Sequence, residues 1–293
     1  MAATEELTFR SSNIELSVLP AYGARLHRLR VFGHDLLRTP ADPAEHQRDP
    51  FFWGAYVMAP WCNRLTVGPI EICGRTVDLQ PNFADGTAIH GQVYASPWQS
   101  GANGELSTQG GGDGWPWRYG TSLAVVIDDH QLRLEQTLTN LSDEPMPGGV
   151  GIHPWFVGRF RMAIHSGLVY PSNEHSDAQP IPVTGELDLR QPTEMAVGVD
   201  ATWPQVVDPA VDLWWPDAGV HCVMRVVSAT PHIVAANPGN RAAIAVEPET
   251  HAPQGLRRLV AGSPGAMTLL AGGETLRLTS VLEFERWTTN SMR

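Results

Sequence analysis

Apolar residues recur at every second position along most of this chain. Ile14, Leu16 and Val18 point one way while Glu15 and Ser17 point the other, the pattern of a half-buried strand. Leu123, Val125 and Ile127 repeat it, an Asp128-Asp129 turn follows, and Leu132, Leu134 and Leu138 come back, which predicts a hairpin. Near the end, Leu276, Leu278, Leu282 and Phe284 share a face opposite Arg277, Thr279, Glu283 and Glu285. Helical periodicity is scarce: a short segment after Pro253 (254–260) and a turn around 44–47 are the best examples.

The 28 glycines and 24 prolines punctuate the chain every dozen residues or so. Short strands with closely spaced turns predict an all-β chain, a large antiparallel β-sandwich, and not alternating βαβ units. The stretch 100–114 is expected to be flexible, either a mobile loop over a site or, for its Gly-rich middle, a surface insertion. Nothing else reads as a linker, so a single domain over residues 1–293 is expected.

Composition sharpens this. With 42% hydrophobic and 17% charged residues the profile is globular. A formal net charge of −11 argues against a nucleic-acid partner, because neutralising phosphates takes clustered Lys and Arg. It also weighs against a strongly phosphorylated substrate. Cys62, Cys73 and Cys222 are too few for a disulfide framework and lack zinc-ligand spacing. No secretory leader pattern and no apolar run of membrane-spanning length is present, so the expectation is a cytoplasmic protein without a membrane partner.

Four polar constellations sit among aromatic, Pro and Gly residues at the ends of apolar stretches. In Ala59–Leu65, the pair Asn63-Arg64 beside Trp61 offers several donors for hydroxyl groups, although alone it reads as a turn with a surface ion pair. In Ala88–Gln92, His90 before Gly91 can present an imidazole at a strand end with little crowding. A lone His is more often structural.

In Gly151–Phe156, Pro154 biases His153 toward extended backbone, and Trp155 and Phe156 could wall a sugar or simply fill the core. In Ile244–Pro253, an apolar strand delivers Glu247 directly before Pro248. A desolvated carboxylate there could titrate near neutrality and act as a general base, with Glu249 a rival on local reading. Two histidines, a carboxylate and an Asn-Arg pair are an inventory for proton transfer at hydroxyl oxygens. No phosphate-cradling loop, dinucleotide fingerprint or H-E-x-x-H motif occurs, so no cofactor and no metal are expected.

In order, the segments GARLHRLRVFGHDLL, Asn63-Arg64, His90-Gly91, DGWPWRY (113–119), the run from Asn140 to His153-Pro154-Trp155-Phe156, Glu247-Pro248 with Thr250 and Pro253, and LLAGGETLRLTSVLEF resemble the aldose 1-epimerase (galactose mutarotase) family over nearly the whole chain. The His-Pro-aromatic-Phe motif and the late Glu-Pro are its most specific parts.

The resemblance implies a β-supersandwich with an open polar cleft and an isomerase acting on a monosaccharide, as a monomer or homodimer. It implies that Glu247 is the base and His153 the acid, with His90 and Arg64 holding sugar hydroxyls and Asn63 in support. It also implies an Asp between the His and Glu motifs. Asp212 is the best match, with Asp208 and Asp217 as alternatives, because the local Asp-aromatic spacing departs from the family's. Trp115, Trp117 and Trp214 could stack on sugar but read better as packing. Arg118, Arg257 and Arg258 are the cations an anionic sugar would need, though each reads as solvated surface. The alternatives are a non-catalytic sugar-binding protein on the same sandwich, and a glycosidase, which would need two carboxylates flanking a bond.

Overall fold

The computed structural model describes residues 5–101, 104–172 and 178–288. The alternating segments pair into two large antiparallel sheets. The first has nine strands. Its order is Leu7–Arg10, Ile14–Leu19, Arg25–Val31, Ala55–Met58, Gly151–Val157, Ala243–Glu249, His232–Ala236 and Asp200–Pro204, with the short His34–Asp35 strand on Arg25–Val31. The second has eight, in the order Gln99–Ser100, Leu106–Gly112, Trp115–Ile127, Gln131–Asn140, Thr275–Arg286, Val220–Val227, Val211–Trp215 and Arg161–Ile164.

Period-2 alternation decides what each face of the first sheet meets. Leu16, Val57, Ile152, Phe156 and Val246 enter the large core that also takes Leu134, Leu278 and Phe284 from the second sheet. The residues between them, Tyr56, Met58, Trp155 and Ala245, point to the other face and form a smaller apolar cluster with Phe51, Cys62 and Ile89. Fully burying each aliphatic side chain contributes roughly 1.5–3 kcal/mol. Only the inner face is sealed on both sides by sheet. The outer face of the first sheet is covered by loops, and there the polar constellations gather.

The 115–127 and 131–140 strands form the expected hairpin, with Ile127 opposite Leu132. Its turn is fixed by Asp128, whose carboxylate accepts the backbone N–H groups of His130 and Gln131, both at 2.8 Å. The helix after Pro253 spans Gly255–Ala261 and stops at Gly262, which is left-handed (φ 62°) and returns its N–H to the last-turn carbonyls. The other helix is a single turn, Glu45–Arg48.

The 100–114 stretch corrects its expectation. Residues 102–103 lie outside the described residues, but Leu106–Gly112 is a strand paired with 115–127, Leu106 opposite Leu123 and Thr108 opposite Thr121. Its glycine content serves packing: a β-carbon at Gly110 would lie 2.3 Å from the Tyr119 hydroxyl. Among the described residues, no helix is long and apolar enough to cross a membrane.

Candidate active site

Three neighbouring strands of the first sheet place three functional side chains in one row across its outer face. His153 pairs with Tyr56 on one side. On the other, the register Gly151 to Glu249 and Trp155 to Ala245 sets His153 opposite Glu247. Nε2 of His153 lies 3.1 Å from Oε1 of Glu247, and the two side chains are 5% and 2% exposed. Two residues far apart in sequence thus come into contact at the floor of a cavity of about 180 Å³.

A second two-stranded unit, Arg64–Leu65 against Ala88–Ile89, carries the Asn-Arg and His-Gly segments onto this floor. The His90 N–H donates to the Asn63 carbonyl at 3.1 Å, and both residues adopt left-handed backbone (φ 61° and 53°). Non-glycine residues in that region carry strain and persist where surroundings hold them. Gly91 is needed at the same turn: a β-carbon there would lie 2.0 Å from the Ala59 carbonyl oxygen. The His90 and His153 rings then meet edge to face, 5.0 Å apart.

Arg64 reaches over the cavity with its Nε and Nη1 engaged. Its Nε donates to Asp85 at 2.8 Å and its Nη1 to Asp200 at 3.2 Å. Burial disfavours its charge, but Asp200 and Asp85 outweigh burial and raise its pKa above the ordinary value. Phe51, Phe52, Phe83 and Trp155 supply the apolar wall, and the Trp155 indole N–H is anchored on the Phe51 carbonyl at 2.7 Å.

Burial governs the protonation of the floor. It holds Glu247 well above the usual carboxylate range, with the neighbouring Glu249 adding to the rise. It holds His153 well below the usual imidazole value, with Arg25 and Arg64 adding to the fall. His90 is likewise lowered by burial, then by His153 and Arg64. Burial thus favours a protonated Glu247 and an unprotonated His153, opposing charge on both members of the pair.

Glu249, the local rival, is fully buried behind Glu247 and does not line the cavity. Gly151 makes room for it, since a β-carbon there would lie 3.1 Å from the Glu249 Cγ. His251 ties this strand end to the Cys62 turn: its Nε2 accepts the Cys62 N–H at 3.1 Å while its Nδ1 donates to the Ala252 carbonyl.

Of the residues singled out in the sequence, Glu247, His153, His90, Arg64 and Asn63 line this one cavity. Asp212 does not. It sits on the Val211–Trp215 strand of the second sheet, with its carboxylate shared by His221 (2.8 Å) and His165 (3.0 Å). Trp214 is stacked on His221, also away from the cavity. Asp208 is paired with Arg225, and Asp217 is exposed.

The aspartate that does line the cavity is Asp200. Its signal is a short one, an Asp opening the alternating strand Asp200–Pro204 just after Gly198. Tyr56 was also missed, because a Tyr inside an apolar strand carries no mark in sequence. Trp115 and Trp117 are core, as is Phe156, while Trp155 lines the cavity. Arg118 and Arg257 are exposed, but Arg258 is buried, donating to the carbonyls of Pro253, Pro264 and Ala178.

Among the described residues, His90, His153 and Glu247 have donor atoms that could approach one metal ion, all within 4.8 Å of one another. The same closeness, with Nε2 of His153 3.1 Å from Oε1 of Glu247, suits a pair of proton-exchanging groups. Chemically, the floor can take a proton from one oxygen and give one to another, inside a cavity sized for a single sugar ring.

The sequence matches the family model described as aldose 1-epimerase over residues 5–283. Comparison with curated proteins gives no match. Among solved structures, the fold is similar to a galactose mutarotase-like protein from Clostridium acetobutylicum, with a TM-score of 0.83, 19% identity, and coverage of 96% of this chain and 98% of that one. It is also similar to the GalM/aldose epimerase homologue from C. elegans, with a TM-score of 0.81, 16% identity, and coverage of 98% of this chain and 100% of that one.

Proposed function

Because this chain belongs to the aldose 1-epimerase family, we propose that it interconverts the α and β anomers of a monosaccharide by general acid–base ring opening and reclosure. The observation that carries this is the 3.1 Å contact between His153 and Glu247 on the cavity floor. The anomeric carbon bears both the hydroxyl that must lose a proton and the ring oxygen that must gain one. An acid and a base in mutual contact can serve two oxygens on one carbon.

Shifting the shared proton from the Glu247 carboxyl to His153 creates a carboxylate and an imidazolium. Glu247 then takes the proton from the anomeric hydroxyl as His153 gives its proton to the ring oxygen. The bond between the anomeric carbon and the ring oxygen breaks, leaving an open-chain aldehyde. Rotation about the bond from the carbonyl carbon to the next presents the other carbonyl face. Reclosure returns both protons and yields the other anomer. Each positioned group supplies on the order of 100- to 10,000-fold. No redox or group transfer occurs, so the pair suffices.

His90, Arg64, Asn63 and Asp200 are assigned to the remaining hydroxyls, and Trp155 with Phe51 and Phe52 to the apolar faces of the ring. The substrate is neutral in this reading. Arg64 is the one arginine or lysine among the described lining residues, and its charge is already balanced by Asp85 on Nε and Asp200 on Nη1. A phosphate or sulfonate would meet a cation whose charge two aspartates already balance, and two acidic neighbours, Asp200 and Glu247.

The test is the optical rotation of freshly dissolved neutral aldoses, followed with and without the protein and with no added cofactor. Faster equilibration of at least one sugar is expected. Saturable sugar binding with the spontaneous rate unchanged would leave only a carbohydrate-binding protein.

A further inference from the structure

We propose that Arg25, which does not line the cavity, acts through the Tyr56 ring to keep His153 neutral at rest and a ready proton donor once charged. The inference rests on the assignment of His153 as the acid.

Three observations carry it. Arg25 continues the row of the first sheet, since Leu26 pairs with Ala55 and brings Arg25 beside Tyr56. Its guanidinium lies 4.7 Å from the Tyr56 ring centre, and that ring is stacked on His153 at 4.4 Å with an interplanar angle of 25°. Arg25 is 0% exposed, yet among the described residues no carboxylate pairs with it. It donates to the backbone carbonyls of Trp53 and Tyr94, both at 3.1 Å, and its Nε has no partner. Asp49, the acid that bears on it from nearby, is itself paired with Arg241.

A buried guanidinium without a counter-charge is costly, and capping two carbonyls does not require a charge. The charge does act on the far side of Tyr56. The ring face favours one cation, and in a dry interior a second cation stacked beyond it is opposed.

The other charged or titratable groups facing His153 are Glu247 from the adjacent strand, His90 from the 88–91 turn and Arg64 from over the cavity, with Glu249 and Asp200 behind Glu247. Glu247 favours the imidazolium, and Arg25 and Arg64 oppose it. Arg64 is neutralised by two aspartates. Arg25 is left as the standing positive charge. It keeps His153 from trapping a proton as a stable ion pair with Glu247, so the imidazolium formed in the reaction gives its proton up readily. Arg25 is thus a positioning residue, acting on charge and not on substrate. Burial and then Arg25 lower the His153 pKa, in agreement.

The test compares Arg25→Gln, which keeps amide donors but no charge, with Arg25→Lys, which keeps the charge. His153 is titrated by NMR of its imidazole, and the acid limb of kcat/KM is followed alongside. Arg25→Gln should move the His153 titration up by about one pH unit, carrying the acid limb with it, while Arg25→Lys leaves both near the wild-type position. An unmoved His153 in folded Arg25→Gln overturns the proposal. Should that variant not fold, wild-type His153 titrating at or above the ordinary imidazole value overturns it equally. A His153 shift in a protein that accelerates no aldose sustains the electrostatic link and removes the catalytic reading, so the two failures are separable.

Discussion

The carboxylate of Asp200 lies 3.2 Å from Nη1 of Arg64, joining the edge strand of the first sheet to the small unit that carries Asn63 and His90. This pair closes the cavity on the side opposite His153. Replacing Asp200 with Asn removes a charge-assisted bond and frees one arm of Arg64. Such bonds are worth about 1.5–3 kcal/mol, so KM for the sugar should rise by about tenfold or more with kcat less affected. Steady-state kinetics on the most active aldose checks this. A variant with unchanged KM would remove Asp200 from the sugar site.

Gly91 sets the position of His90. A side chain at residue 91 would collide with the Ala59 carbonyl and would also have to adopt φ 77°. Gly91→Ala should therefore destabilise the fold by more than about 1 kcal/mol and cost activity beyond the loss of folded protein, because the His90 imidazole is displaced. Thermal unfolding and specific activity of the folded fraction separate the two effects.

The pH profile follows from the directions of the two shifts. His153 is lowered from 6.5, so it takes a second proton onto the pair only well below that value. Glu247 is raised from 4.5, so the pair loses its last proton only well above that value. In the proposed mechanism activity requires the one-proton state, so kcat/KM should form a plateau between those two limbs. An acid limb at or above 6.5 would contradict the assignment.

Asp212 gives a prediction of the opposite kind. Its pKa is lowered from 3.8 by His221 and His165 against the pull of burial. The His221 pKa is raised from 6.5 by Asp212 and Glu285, again against burial. A lowered acid stabilises above its unfolded pKa and loses that on acidification through its folded value. A raised His stabilises below its unfolded pKa and loses that as pH rises through its folded value. Both contributions are present together between about 4 and 6.5. Asp212→Asn should lower the melting temperature most in that window and progressively less in alkali, with kcat/KM unchanged. A loss of mutarotation at constant stability would return Asp212 to the site.

These contrasts show what the sequence could carry. The structure splits Trp155 from Phe156, which sequence grouped as one wall: His153, Trp155 and Glu247 face the cavity while Ile152 and Phe156 enter the core. The family resemblance joined the late Glu-Pro to the His-Pro-aromatic motif, and the strand register that sets them side by side is not displayed in sequence. Asp200 was not legible, because its meaning lies in Arg64, 136 residues away, and its own surroundings show no chemistry.

Asp212 rested on the resemblance alone, and the Asp-aromatic spacing there departs from the family's. Its strand instead turns it to His165 and His221 on the second sheet. The Gly110–Gly112 run hid a strand because glycine erases the alternation on which strand reading depends; the Tyr119 side chain packed over Gly110 and the positive φ of Gly111 and Gly112 at the register shift explain the choice. Tyr56 and Arg25 gain significance only from stacking, which sequence does not display.

The most direct measurement is anomer exchange of a neutral aldose at equilibrium, by NMR magnetisation transfer, with wild type and with Glu247→Gln at equal folded concentration. Wild type should exchange the anomers far faster than buffer, and the Gln variant should fall by about 100-fold or more while its unfolding transition stays cooperative. A fully folded Glu247→Gln protein that still exchanges anomers at the wild-type rate would contradict the account.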